Sequence, residues 1–275
     1  MNAPATALSR SRAGLRLYLR LLSSSVRAKM QYRFDFLASS AIQATMGLYD
    51  FLLVAVILWK FKTVAGWSIY EVGVLYAAAR VGYGAYRMVC NELERFENYI
   101  VTGEFDSILI RPYPTLFVLL SRDFDFTRVA WVIQGVALLA ICAPTLIRGG
   151  TLTWTGLWYI MLTCVWSFLL HAAVALGTAS AAFWIVRIEE LQVFTLNATS
   201  SATLYPLDIY PGWLRAVLLY VIPFGMGNYV PVRYLLGKGG TPMSLVLPPL
   251  VAVCSLLVAY NLWRWGETRY HSTGS

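Results

Sequence analysis

Charge is what this sequence has least of. Only 13% of its 275 residues are Asp, Glu, Lys or Arg, whereas a soluble domain carries about 25% of these residues. Hydrophobic residues make up 58% of the chain and aromatic residues 15%. This balance excludes a disordered chain, a coiled coil and an ordinary soluble globular protein. Most of the chain is therefore expected to lie in lipid.

The residues that carry catalysis and metal binding are also scarce. The two histidines, His171 and His271, lie 100 residues apart, and no C-x-x-C pair or Cys/His cluster exists among Cys90, Cys142, Cys164 and Cys254. This spacing indicates packing cysteines, not a disulfide framework or a zinc site. His171 is expected to be a packed or pore-facing residue, not a ligand.

The common catalytic motifs are missing as well. The sequence contains no G-x-x-x-x-G-K-[ST], no G-x-S-x-G and no H-E-x-x-H, so neither P-loop ATP binding nor the corresponding hydrolase chemistry is indicated. We expect a chain that is not an enzyme, with no catalytic residue and no cofactor or metal site of its own.

Long apolar stretches take the place of these motifs. A membrane-spanning helix needs about 20 mostly apolar residues. Six spans are predicted, the fifth of them short, at Phe36–Trp59, Ile69–Arg87, Val129–Ile147, Trp158–Val186, Leu191–Leu204 and Met243–Trp263. The fold class is therefore all-α integral membrane, with residues 35–268 as the transmembrane domain.

One further apolar stretch, Trp213–Leu236, is interrupted by two prolines and two glycines. Residues of this kind at such density end helices. Irregular backbone at membrane depth is tolerated only against protein or water. The stretch is predicted to enter the membrane and turn back without crossing.

Lysine and arginine predict the orientation. With six spans, fifteen of these residues fall on the side of the termini and six on the opposite side. Because cytoplasmic loops carry the excess of positive charge, both termini are predicted to be cytoplasmic. The net charge of +8 then reflects topology, and no nucleic-acid partner is expected. For the arginine-rich first thirty residues, no cleavable signal peptide is predicted.

Two segments outside the spans are amphipathic. Residues 12–30 place arginines on one face and apolar residues on the other, which predicts a helix in the lipid headgroup layer, either an anchor alone or also a contact for a cytoplasmic partner. In Asn91–Ile100, the apolar residues Leu93, Phe96 and Ile100 form a stripe between glutamates. This pattern predicts an exposed helix that docks into another protein's groove, or else a solvated connector.

Two charges fall inside predicted spans. Asp50 and Arg80 both lie about 15 Å below the outer surface if the helices rise 1.5 Å per residue. A pair between them is feasible, and Tyr76 and Tyr83 flank Arg80 on the same face, which offers cation–π support. The two charges are either a structural pair or part of a substrate pathway.

Small residues recur every fourth position in the fourth predicted span. Ala173, Gly177 and Ala181 form a face that lets another helix approach closely. The face fits packing within the subunit or an interface between subunits.

The layout and two motifs resemble those of ABC-2 type transporter permeases. Gly103-Glu-Phe-Asp-Ser-Ile-Leu-Ile-Arg-Pro112 is similar to the G-x-x-D-x-x-L-x-R-P pattern of one bacterial branch with six spans. Tyr205-Pro-Leu-Asp-Ile-Tyr-Pro211, followed by Val221-Ile-Pro-Phe-Gly225 and Pro231, resembles that branch's P-x-x-I-Y-P, I-P-F and Y-x-P pattern. This chain has Tyr205 where the branch often has Phe.

The resemblance implies a permease in the bacterial cytoplasmic membrane. It would work with a second permease chain, identical or homologous, on a dimer of ABC ATPase subunits that bind ATP and magnesium. Transport would be export of hydrophobic or amphipathic small molecules, including multidrug efflux, along a path between the permeases. A channel or secondary transporter without an ATPase is the alternative.

The resemblance also implies roles for segments. Residues 1–34 would be a connecting helix, residues 91–102 the coupling helix, residues 210–236 an extracellular lid and residues 269–275 a cytoplasmic tail. The residues expected to couple to the ATPase are Glu92, Glu94, Arg95, Phe96, Tyr99, Ile100, Asp106 and Arg111. Those expected in the lid are Tyr210, Pro211, Pro223 and Pro231.

Overall fold

The computed structural model describes residues 33–61, 63–185 and 187–270. The predicted interfacial helix of residues 12–30 and most of the predicted tail lie outside the described residues. The helices in chain order are α1 (Arg33–Phe61), α2 (Ile69–Glu94), α3 (Phe96–Val101), α4 (Glu104–Leu109), α5 (Thr115–Leu120), α6 (Val129–Arg148), α7 (Trp154–Ala181), α8 (Glu189–Gln192), α9 (Thr199–Ala202), α10 (Gly212–Ala216), α11 (Phe224–Gly227), α12 (Tyr229–Leu235) and α13 (Met243–Arg269).

Short elements complete the description. Two π-helical stretches occupy Val193–Ala198 and Val217–Val221, and two 3₁₀ turns occupy Phe126–Arg128 and Leu207–Ile209. Strands β1 (Thr63–Val64) and β2 (Trp67–Ser68) pair antiparallel between α1 and α2, with Val64 opposite Trp67. The all-α class is therefore confirmed, with one small hairpin that the sequence analysis did not predict.

Three helices in the described part of the chain are long and apolar enough to cross a membrane, at Phe126–Arg148, Trp154–Ala181 and Met243–Arg269. The predicted fifth span, Leu191–Leu204, is not one continuous α-helix. It consists of α8, a π-helical stretch and α9.

The long helices pack side by side in an order that differs from chain order. Helix α1 packs on α6, α6 on α2, α2 on α7, and α7 on α13. Helix α2 is the most enclosed, with nearly all residues from Glu71 to Gly84 buried. We call the end of the bundle with residues 95–128 the loop end, and the end with β1 and β2 the hairpin end.

The segment between α9 and α13 enters the bundle and returns. Asp208 near its start accepts a hydrogen bond from Trp67 of the hairpin, and Lys238 near its end lies 2.9 Å from Glu71. Between these points, the ring of Phe224 stacks 4.1 Å from that of His171. His171 lies seventeen residues into α7, about 25 Å along the helix. The segment 208–238 therefore reaches the interior from the hairpin end and goes back to it.

Small residues allow the close helix contacts. A Cβ added to Gly82 of α2 would lie 2.9 Å from the carbonyl oxygen of Cys164 in α7, whereas one added to Gly177 would lie 4.0 Å from Ala259 of α13. The face with Gly177 thus packs against α13 of the same chain. The contact at Gly82 has no room for a methyl group, whereas the contact at Gly177 has room for one.

This difference predicts the effect of two matched substitutions. Gly82→Ala should destabilise the chain by about 1–3 kcal/mol, because the new methyl group forces the backbones of α2 and α7 apart. Gly177→Ala should leave stability nearly unchanged or raise it slightly, since alanine favours helix and the space exists. Thermal unfolding of both variants in the same detergent would test this. Equal losses would contradict the packing described.

Candidate functional site

Helix α2 is kinked near its C-terminal end, and side-chain contacts hold the kink. Cys90 has non-helical φ and ψ of −112° and 16° inside the helix. Arg87 on one side of the kink forms an ion pair with Glu94 on the other, and Tyr86 donates a 2.8 Å hydrogen bond to the same carboxylate. The Arg87 and Glu94 side chains are 14% and 16% exposed. Glu94, predicted to contact a partner, thus lies inward and holds the kink.

Beyond the kink, an aromatic cluster fixes the loop to the bundle. The ring centre of Phe96 in α3 lies 5.2 Å from that of Phe105 in α4 and 4.6 Å from that of Trp263 in α13. Phe183 after α7 and Tyr270 after α13 pack on the same rings. We call these five residues the loop cluster. Offset and edge-to-face aromatic contacts add to the energy of burial, so α3 and α4 are attached to the ends of α7 and α13.

The loop cluster corrects one prediction. Leu93, Phe96 and Ile100 are all buried in the core of this chain, so the prediction that their stripe is exposed for a partner's groove is wrong. The spacing of the stripe indicated an apolar face. It could not show whether the surface that covers this face belongs to the same chain.

A carboxylate ties the loop to the segment that follows α7. Glu97 accepts hydrogen bonds from the backbone N–H groups of Ile188, at 2.6 Å, and Glu189, at 2.8 Å, at the start of α8. The side chain of Gln192 donates to the carbonyl of Leu93 at 2.9 Å. A carboxylate that accepts from a helix N-terminus is favourable. Loop and segment are therefore held together.

A polar groove of 330 Å³ opens at the loop end. Its buried wall is Glu92, only 3% exposed, which accepts from the Tyr99 hydroxyl and lies 3.5 Å from Arg95. Burial is the main cause that raises the pKa of Tyr99 to about 12, and the hydrogen bond to the Glu92 carboxylate adds to it. The hydroxyl group of Tyr99 therefore stays protonated and remains a donor at neutral pH. The groove is lined by Glu92, Arg95, Asn98, Tyr99, Thr102, Glu104, Arg122 and Asp123.

The motif at 103–112 comprises the turn at Gly103, helix α4 and the residues that follow it. Gly103 adopts a φ of 71°, which glycine accepts without strain, and this turn separates α3 from α4. Asp106 lies beside Tyr270, and burial together with that carboxylate raises the pKa of Tyr270. Arg111 is exposed.

Sequence reasoning missed the apolar residues that do face outward at this end. Ile110 is 85% exposed, and Val101, Leu109 and Tyr113 are also exposed. Three of the four lie within or beside the 103–112 motif, so the motif was the available signal. We call Val101, Leu109, Ile110 and Tyr113 the exposed loop patch.

Three of the predicted intramembrane residues, Tyr76, Arg80 and Tyr83, are buried. The guanidinium carbon of Arg80 lies 4.5 Å from the ring of Trp131 and 5.8 Å from that of Tyr76, and Tyr83 donates to Asn197 at 3.0 Å. Trp131 was not predicted, and its position at the start of the third predicted span was the only signal. The side chain of Asp50 lies outside the described part, so its pairing with Arg80 stays a prediction.

His171 packs in the same region. Its Nδ1 lies 2.7 Å from the carbonyl oxygen of Ser167, and its ring packs against those of Tyr83 and Phe224. The interpretation of His171 as a packed residue therefore agrees with the structure.

The residues predicted for the lid lie in the segment that enters from the hairpin end. Tyr210 donates to the carbonyl of Ala202 at 3.1 Å, and Pro211 directly precedes α10 and is exposed. Pro223 directly precedes α11, whereas Pro231 is buried within α12.

The clamp at the kink makes a testable prediction. Glu94→Gln should destabilise the chain by about 1–3 kcal/mol, because it leaves the partly buried Arg87 without a carboxylate. Adding Arg87→Met should cost less than the sum of the two single losses. Thermal unfolding in detergent measures both effects. Glu104→Gln is the control, since its pair with Arg122 is more exposed; strictly additive losses at 87 and 94 would contradict the clamp.

The comparisons with known proteins identify a family. Residues 44–274 match the model of a family described as ABC-2 family transporter protein. No curated protein and no solved structure matches the chain. Because the match covers all five long helices, at least in part, and both motifs, this chain belongs to the ABC-2 family of transporter proteins and is a membrane permease of the ABC transporter type.

Proposed function

We propose that the chain is the permease subunit of an ATP-driven exporter of hydrophobic or amphipathic small molecules. It would form the translocation path with a second permease chain, identical or homologous, and be driven by separate ATPase subunits. The observation that carries the proposal is the family match over residues 44–274. The loop end adds support, because its short helices are attached to two long helices and carry exposed apolar side chains.

The distribution of tryptophan supports six crossings of the membrane. Exposed Trp154, Trp158 and Trp213 lie toward the hairpin end, and exposed Trp184 and Trp265, 4.8 Å apart, lie toward the loop end. Tryptophan is enriched where a bilayer meets water. Between these levels the chain runs through α1, α2, α6, α7, residues 189–207 and α13, with residues 208–238 as a re-entrant segment.

Positive charge supports the orientation. The excess of arginine and lysine on the side of the loop end favours a cytoplasmic loop end, with both termini cytoplasmic, in a bacterial inner membrane. The hairpin end and the re-entrant segment would then face outward.

The contact with the ATPase is proposed at the exposed loop patch and the adjoining groove. Isolated exposed apolar residues are common on proteins, but these four fall within thirteen residues of the chain, outside the long apolar stretches, and Ile110 directly precedes the exposed Arg111. Aromatic residues and arginine are enriched at protein interfaces. Since the loop cluster fixes α3 and α4, a push on the patch would be carried to α7 and α13.

Substitution in the patch tests the contact. Ile110→Glu should weaken binding of the ATPase subunits at least about tenfold, because it places a charge in an apolar interface. The fold should be unaffected, since Ile110 is 85% exposed. Thr268→Glu places the same charge on an exposed site of α13 at the same end and should have little effect. Retention of ATPase on immobilised permease measures both, and equal binding by the two variants would contradict the patch.

The composition of the purified complex tests the function itself. The chain, expressed with the products of its neighbouring genes and purified in mild detergent, should give two ATPases and two membrane chains by native mass spectrometry. The masses distinguish a homodimer from a heterodimer of permeases. A lone, stable, monodisperse membrane chain would favour the alternative of a channel or secondary transporter.

A further inference from the structure

The hairpin between α1 and α2 is built around a buried tryptophan. Its turn residues Ala65 and Gly66 both have positive φ, 50° and 80°, as in the tight turns that suit short hairpins. Trp67, which follows, is 1% exposed. Ser68 caps α2, and its backbone N–H donates to Glu71 at 2.7 Å. The position of Glu71 is therefore defined by the start of α2.

The far end of the re-entrant segment is fastened to this hairpin. The ammonium group of Lys238 lies 2.9 Å from Glu71 and donates to the carbonyl of Gly66 at 2.7 Å. The same group lies 5.9 Å from the ring centre of Trp67. Lys238 follows Gly237, which has a φ of 68°, so the chain turns sharply to reach this position.

The near end of the segment is fastened to the same tryptophan. The indole N–H of Trp67 donates to Asp208 at 3.0 Å, and Arg215 lies 3.6 Å from the other oxygen of that carboxylate. The ring of Tyr229, on the returning half, lies 6.1 Å from that of Trp67. One hairpin thus holds both ends of a segment of about thirty residues.

We infer that Trp67, Glu71, Asp208 and Lys238 form a latch that holds the re-entrant segment in the bundle. Beneath the latch, α11 packs on α7, so release of both ends would open the interior of the bundle from the hairpin end. If the chain is the proposed permease, which this functional meaning rests on, the latch controls access from the outer side.

The charges favour a latch with two discrete states. The side chain of Glu71 is 7% exposed and that of Lys238 is 26% exposed. Separating them leaves a mostly buried carboxylate without its cation, which is costly. A partly displaced segment would bear the cost of the unpaired Glu71 carboxylate and gain no contact that offsets it. The segment is therefore expected to be either fastened or free. Helix α1 continues almost directly into β1, and a displacement of α1 would therefore shift the hairpin and strain the latch.

Charge exchange across the latch provides the test. The readout is the rate at which a maleimide labels Met226→Cys, placed in α11 under the latch, in a chain whose four native cysteines are replaced by alanine. Met226 is buried, so labelling requires opening. Glu71→Lys and Lys238→Glu should each raise the labelling rate about tenfold, since each places like charges together. The double exchange restores opposite charges but not the contacts with the Ser68 N–H and the Gly66 carbonyl, so it should label more slowly than either single variant and faster than the parent.

Matched controls exclude general loosening. Arg148→Glu makes the same change of charge as Lys238→Glu at an exposed site of the hairpin end and should label at the parent rate. Single variants that label at the parent rate, or a double variant that labels as fast as the faster single one, would overturn the latch. The measurement uses the permease chain alone in lipid nanodiscs, so its outcome does not depend on whether an ATPase binds.

Discussion

Two neighbouring segments bring their backbones into close contact with α7 at glycine residues. Gly82 of α2 faces Cys164, and Gly227 of α11 lies where an added Cβ would be 3.2 Å from the backbone of Ser167. Without an apolar driving force between helices in lipid, association depends on such close packing. The same contact covers the irregular backbone of the re-entrant segment, which lipid could not accommodate.

The two ends of the bundle follow from this central packing. Because α7 is held between α2 and α13, its last turn meets the end of α13 at the loop cluster, and α3 and α4 are attached there. At the other end, the re-entrant segment is held by α7 inside and by the hairpin outside. A change at the loop end and a change at the latch therefore involve the same helices.

Comparison of expectation and structure shows where sequence reasoning succeeds. Five of the predicted apolar stretches coincide with long helices, since helix formation in lipid depends on local composition. The prolines and glycines of residues 213–236 correctly indicated broken helix. The loop was harder to predict. Phe96 was expected outside and lies inside, whereas Ile110 faces outward, because an amphipathic pattern specifies an apolar face and not the surface that covers it.

Sequence by itself determined the class of the protein, the long helices, the interrupted segment and, through the 103–112 and 205–231 motifs, the family. These depend on composition and on residues close together in the chain. Tertiary structure alone decided the lateral order of the helices, the inward turn of Glu94 and the joining of Trp67 to Asp208 across 141 positions. Such contacts join residues far apart in sequence, and they form only where packing around α7 brings their elements together.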